Sequence, residues 1–231
     1  MAKAEATFLA ERTQLMKLVW TPETAAKSYI DTVKSCVNIG DSGAAELISA
    51  MAGGYNSRLM VEAWSAGDEF GVSIGLAVAR SHTGGRHVCI VPDERSKMKY
   101  VEAMQDTGRS PEVLVGDVKP AMEGLVDVDF LVVDCRRNDF GEMSQYAKFG
   151  NRGAVVVCKN VRGRSIGGWH GGVGGGGGRR VVYSKLLPAG EGLMEIAHVA
   201  MNDGTVNSGK RFGRWIILVD QKSGEEHVFR R

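Results

Sequence analysis

The sequence predicts an α/β fold built on a doubly wound, mostly parallel sheet with antiparallel strands along its C-terminal edge. Two hydrophobic runs, Phe130–Asp134 and 154–160, carry this prediction, because both are continuous, rich in β-branched residues and broken off abruptly by polar side chains. Strands covered on both faces have that composition, and a parallel sheet flanked by helices provides the cover. Strand-like and helix-like segments also alternate along most of the chain, which implies right-handed crossovers. The tail departs from that alternation, with four strand-like runs and no helix between them.

In chain order, residues 1–20 read as an N-terminal extension and 21–231 as one domain. Thr21 is placed to cap a helix with Pro22 at its first position and Glu23 in its first turn. The helix should run to about Asn38, with Ala26, Tyr29, Ile30, Val33 and Val37 forming an apolar face while Lys27, Asp31 and Lys34 face water. Gly40, Asp41 and Ser42 end it and cap a second helix over 44–52, which Gly53 and Gly54 close. There follow a strand at 58–64, a helix at 68–80, and a strand at 87–91 stopped by Pro92. Next come a helix at 93–106, a short strand at 112–115, a weak helical turn at 119–124 and a fourth strand at 129–134. A helix at 138–149 and a fifth strand at 153–158 complete the parallel part. In the tail, 179–187, 193–199, 215–220 and 227–229 read as strands, with a turn at 222–225. Residues 167–178 hold only Trp169, His170 and Val173 besides glycine. This Gly-rich loop joins the parallel part to the antiparallel edge.

A chain of 231 residues with 43% hydrophobic content can bury a substantial single core. Its 29 basic and 27 acidic residues are interspersed, so the net charge of +2 leaves no footprint for nucleic acid or membrane. Arg211, Arg214, Arg230 and Arg231 make the C-terminal end mildly basic, without the clustering that a phosphate backbone demands. Cys36, Cys89, Cys135 and Cys158 show no zinc spacing and read as reduced core thiols. No signal-peptide core or bilayer-length run occurs. The expectation is a soluble intracellular protein of cytoplasm or nucleus.

Ligands of such sheets sit beyond the carboxyl ends of the strands, where Asp134, Lys159 and Asn160 fall. These three are the candidate catalytic residues. The turn after the first strand offers Glu62, Ser65 and Gly67. Glu62 either contacts a ligand or is solvated, and Trp64 either crowds the turn or belongs to the core. Asp93 either accepts from ribose hydroxyls or caps the helix that follows, and Asp117 stands in the same position. The Gly-rich loop is followed by Arg179, Arg180 and a strand, so it lacks the Lys-Ser/Thr and helix of a phosphate cradle. It reads as a linker, or as a mobile lid through Trp169 and His170. His82, His87 and His198 have no partner by spacing and read as structural. No Gly-x-Ser-x-Gly or His-Glu-x-x-His signature occurs, which disfavours hydrolase and zinc chemistry.

With the strands in this order, residues 21–199 resemble the Rossmann-like class I methyltransferase fold, especially small-molecule O-methyltransferases related to caffeoyl-coenzyme A and catechol enzymes. The segments 17–25 (KLVWTPETA), 86–92 (RHVCIVP), 129–134 (DFLVVD) and 223–230 (SGEEHVFR) look like an uncharacterised, methyltransferase-like plant family, the domain of unknown function 1442. The resemblance implies an S-adenosylmethionine cofactor lined by Glu62, Ser65, Gly67, Asp93 and Asp117. It also implies a small-molecule acceptor handled by Asp134 or Lys159. In metal-dependent O-methyltransferases the fourth strand ends in a metal-binding Asp and the fifth in an Asp-Asn pair. Asp134 and Asn160 match, but Lys159 stands at the middle carboxylate and brings like charge where magnesium or calcium wants oxygen. Lys159 is therefore expected to pair with Asp134, and no metal is expected. Trp64 stands at the first glycine of the cofactor turn, and Val91 or, with a shift, Asp93 at the acid ending the second strand. Two readings follow: a metal-independent methyltransferase, or a catalytically inactive methyltransferase-fold binding or scaffold protein. A nicotinamide-dependent reductase would need a glycine fingerprint that is absent. Pairing through the C-terminal strands would give a homodimer.

Overall fold

The computed structural model describes residues 19–37, 43–65, 67–105, 107–161, 179–189, 192–201, 215–219 and 226–230. Residues 1–18, the Gly-rich segment 167–178, the turn at 222–225, Ala66, and Arg211, Arg214 and Arg231 lie outside the described residues. The elements are α1 (Pro22–Ser35), α2 (Ala44–Gly54), β1 (Leu59–Ala63), α3 (Gly71–Thr83), β2 (Arg86–Val91), α4 (Glu94–Gln105), β3 (Glu112–Val115) and α5 (Val118–Glu123). They continue with β4 (Val126–Val128), β5 (Phe130–Asp134), α6 (Phe140–Tyr146), β6 (Lys148–Phe149), β7 (Ala154–Lys159), β8 (Arg179–Ala189), β9 (Gly192–Met201), β10 (Trp215–Val219) and β11 (Glu226–Arg230).

Seven strands form one sheet in the order β3-β2-β1-β5-β7-β9-β8. The pairs from β3 through β7 are parallel, whereas β9 runs antiparallel to β7 and β8 antiparallel to β9. The chain starts at the centre with β1, winds outward to β3, then returns to lay β5 on the other side of β1. That reversal creates a switch point between β1 and β5, and a crevice outside their carboxyl ends. Every residue of β1 and β5 is buried. Val61, Val88, Leu131, Val133 and Val156 face Met122 of α5 and Met143 of α6. Alternate residues Met60, Phe130, Val132, Val155 and Val157 face Ile48 of α2 and Leu76 of α3. Continuous apolar strands thus follow from two covered faces.

Four features differ from the sequence expectation. First, β10 and β11 pair with each other in a separate two-stranded antiparallel sheet, so only β8 and β9 form the antiparallel edge. Second, β4 and β6 form a small parallel pair, too short to leave a periodic signal. Third, α1 turns its large apolar residues outward, with Tyr29 48%, Ile30 51% and Val33 41% exposed, and it ends at Ser35, before Val37. It buries Ala25, Ser28 and Thr32 instead. The reason is close helix packing: a Cβ on Gly53 would lie 2.1 Å from Ser28 Oγ, and Thr32 Oγ1 donates to Ser49 Oγ at 2.8 Å. Small and polar side chains allow that approach, and large ones do not. Fourth, Gly53 and Gly54 form the last two residues of α2 rather than following it, packed against Ser28 and Trp20. Among the described residues no helix is long and apolar enough to cross a membrane.

Candidate functional site

β5 delivers Asp134 to the carboxyl edge of the sheet, level with Lys159 on β7, and only 1% of Asp134 is exposed. Its Oδ1 accepts from the Arg136 backbone N–H at 2.8 Å and from Arg136 Nε at 3.1 Å. Its Oδ2 accepts from Arg136 Nε at 3.1 Å, Arg136 Nη2 at 2.7 Å and Asn160 Nδ2 at 2.7 Å. Asn160 has φ 55°, a left-handed conformation that asparagine tolerates better than most residues and that turns the chain directly after β7. Burial pushes the Asp134 pKa up, but the Arg136 guanidinium and backbone N–H and the nearby charge of Lys159 outweigh it and hold the carboxyl below its usual range. Lys159 acts here through its charge, and the direct ion pair is made by Arg136.

The same arginine reaches across the switch point. Arg136 Nη2 lies 3.3 Å from Asp68 Oδ1, and Asp68 Oδ2 accepts from the Ser65 N–H at 2.9 Å. Arg137 Nη1 donates to Ser65 Oγ, while its Nε and Nη2 hold the two oxygens of Asp139 at 2.8 and 2.6 Å. The loops after β1 and β5 are thereby tied together. Between them Gly67 is exposed with φ 108°, a conformation that favours glycine, and an added Cβ would meet nothing within 4 Å. Its role is to turn the backbone, and no neighbour crowds it.

Glu62 faces the other way. It is 3% exposed and accepts from Tyr100 Oη at 2.8 Å, with His87 Nε2 at 3.0 Å. Burial raises its pKa, but the hydrogen bond and charge of His87 prevail, so the carboxyl lies below its usual value. The Tyr100 hydroxyl is pushed well up by burial and by the charge of Glu62. Trp64 is 3% exposed and stacks on Phe70 with ring centroids 4.9 Å apart. Its indole packs in an apolar cluster with Cys89, Val91 and Tyr100. Beside it a cleft of about 400 Å³ opens between the β1–α3 loop and α4, lined by Gly67, Asp68, Lys99 and Glu102 among others.

Asp93 and Asp117 are both exposed past the ends of β2 and β3. Asp93 Oδ1 accepts from the Ser96 N–H at 2.6 Å, which caps α4 and holds the carboxyl below its usual pKa. Asp117 precedes α5 without a side-chain capping bond. The fold thus brings Asp134, Lys159 and Asn160 together and sets Ser65 and Gly67 opposite them. It places Asp93 and Asp117 on the rim and Glu62 in the core behind β1. Arg136, Arg137 and Asp68 were missed in the sequence. Two adjacent arginines one residue beyond a strand-ending aspartate were the signal that could have found Arg136 and Arg137.

The donor set does not suit a divalent metal. Five N–H···O contacts already engage Asp134, and a guanidinium lies where oxygen ligands would be needed. Among the described residues no group of three or more His, Cys, Asp or Glu side chains could hold a metal ion.

The sequence model of one protein family, described as protein of unknown function (DUF1442), matches residues 16–231. No curated protein sequence matches the chain. Among solved structures, the chain is similar to the O-methyltransferase TomG from Streptomyces achromogenes, involved in tomaymycin synthesis and solved in complex with SAM, at 18% identity and a TM-score of 0.53, over 77% of this chain and 90% of that one. A methyltransferase from Geobacter sulfurreducens matches at 19% identity and 0.51, over 83% and 96%. The SAH-bound methyltransferase PaMTH1 of Podospora anserina matches at 10% identity and 0.53, over 88% and 97%. These likenesses show the class I methyltransferase fold.

Proposed function

The chain belongs to the DUF1442 family of proteins of unknown function, and we propose that it is a metal-independent, S-adenosylmethionine-dependent methyltransferase-like protein with a small-molecule acceptor. One observation carries the metal-independent part: the Arg136 guanidinium sits on both oxygens of Asp134, at the position that binds metal in the enzymes the sequence resembles. The charge demanded by the buried carboxylate is supplied from within the chain.

For the cofactor, the exposed carboxylates of Asp93 and Asp117 suit hydrogen bonding to ribose hydroxyls and an adenine amine, and the Ser65–Gly67 turn would lie against the amino-acid end. When bound, S-adenosylmethionine supplies an electrophilic methyl group. Asp134 stays ionised and fixes Arg136 and Asn160, so its role is positioning. Lys159, half-buried at the next strand end, is the polar group left to orient an acceptor oxygen.

A second reading, a methyltransferase-fold binding or scaffold protein without turnover, is favoured by Trp64 in place of a glycine and by the arginine ties between the two loops. Thermal unfolding of the whole chain with S-adenosylmethionine, S-adenosylhomocysteine or NADP, each with magnesium or EDTA, separates the two. A ligand present at 100 times its Kd adds about 2.7 kcal/mol, a rise of roughly 5–10 °C for a chain of this size. We expect that rise with both adenosyl ligands, none with NADP, and no effect of EDTA. No shift with either adenosyl ligand supports the scaffold, and a shift abolished by EDTA overturns metal independence.

A further inference from the structure

Cys135 and Cys158 play no part in the site described above. Cys158 lies on β7 opposite Val133, and Cys135 follows Asp134 just past the end of β5. Both side chains pack in or against the cluster formed with α5 and α6, on the sheet face opposite Phe130, Val132 and Val157. Cys135 stands two residues after Val133 and so shares its face of the sheet, and burial together with the neighbouring Cys135 thiol pushes the Cys158 thiol well above its usual pKa. Cys158 is completely buried, whereas Cys135 is partly exposed. The other two cysteines, Cys36 and Cys89, sit in the separate cluster around Trp64.

We propose that Cys135 and Cys158 form a dithiol modification site that hydrogen peroxide converts to a disulfide. The Cys135 thiolate attacks a peroxide oxygen, the O–O bond breaks, and the products are a sulfenic acid on Cys135 and, after protonation, one water. The Cys158 sulfur then attacks the Cys135 sulfur, the S–S bond forms, the S–O bond breaks, and the hydroxide leaves with the Cys158 proton as a second water. The two thiols lose two electrons in all, and the peroxide gains them. Exposure sets the order, because Cys135 can meet solvent and Cys158 cannot.

Backbone placement favours closure. A disulfide needs sulfurs about 2.0 Å apart with a restricted dihedral angle, so two neighbouring thiols must still adjust. Cys158 is held in the ladder by β5 on one side and β9 on the other. Cys135 lies beyond the ladder, tied by one backbone bond to the Lys159 carbonyl at 2.9 Å, and is the partner able to move. The cross-link would clamp the ends of β5 and β7 beneath the Asp134–Asn160 contact.

The test is peptide mapping of the full chain by mass spectrometry, after peroxide treatment and alkylation without reductant. The expected result is a mass loss of two hydrogens and a peptide linking Cys135 to Cys158. The link should persist in Cys36→Ser/Cys89→Ser and vanish in Cys135→Ser. In Cys158→Ala, Cys135 should instead carry a sulfenic acid trapped by dimedone. Links from Cys135 to Cys36 or Cys89, or Cys135 advancing to sulfinic acid in the unmodified sequence with no cross-link, would overturn the proposal. The readout is independent of cofactor binding, so its failure leaves the proposed function standing, and the converse also holds.

Discussion

Asp134 keeps its charge where burial opposes it, because one arginine side chain and one asparagine side chain engage both of its oxygens. A carboxyl whose folded pKa is depressed stabilises the protein above its unfolded pKa of about 3.9, and that contribution fades as pH falls through the lower folded value. Asp134→Asn should therefore cost roughly 1–3 kcal/mol at neutral pH, the range for a lost buried charged hydrogen bond. The deficit against the unmodified protein should shrink below about pH 4. Urea titrations at pH 7, 5 and 3 check this, and an equal deficit at all three would rule the account out. At this scale the sequence was half legible. Asp134 and Asn160 were readable because strand ends in a wound sheet converge. Arg136 was not, because its reach depends on a two-residue turn after β5 that no periodicity records. Glu62 was ambiguous for a related reason: one residue at a strand end can point to either face, and His87 and Tyr100 decide which.

Among the elements, the helices α1, α2 and α3 pack through small residues rather than through an apolar stripe. Gly75 of α3 faces α2, and a Cβ there would lie 2.6 Å from the Ala45 carbonyl oxygen, a backbone atom with little freedom to yield. Alanine in a helix interior normally gains up to about 1 kcal/mol over glycine. Here overpacking of about 1–3 kcal/mol should outweigh that gain, so Gly75→Ala lowers the melting temperature. Gly124→Ala is the control, since nothing lies within 4 Å of its Cβ position. Differential scanning calorimetry of both variants should show a fall for the first and none for the second. The strands were legible because continuous Val and Ile runs have few other uses. The face of α1 was not, because hydrophobic periodicity identifies a stripe but not whether size permits it to pack. Tyr29 and Ile30 were assigned to that stripe, while Ser28 and Thr32, which are small enough, take the interior.

For the molecule as a whole, the wound order of the sheet puts its most protected backbone at the centre. β1, β5 and β7 have neighbours on both sides and buried residues above and below, whereas β3 and β8 are edges. Native-state amide exchange should be slowest in β1, β5 and β7 and several orders of magnitude faster in β3 and β8. Equal protection at centre and edge would contradict this topology. The parallel part up to β7 was legible from alternation, apart from the short β4–β6 pair, and β8 and β9 from strand-like runs with no helix between them. The placement of β10 and β11 was not, since a hairpin carries its own partner and its sequence does not say which larger sheet, if any, it joins. A dissociable ion obeys mass action and is lost when its free concentration falls, but a guanidinium two residues from its carboxylate has a fixed, very high effective concentration. The chain carries its counter-ion as part of its own covalent structure. The counter-charge of Asp134 is therefore inherited with each translated copy.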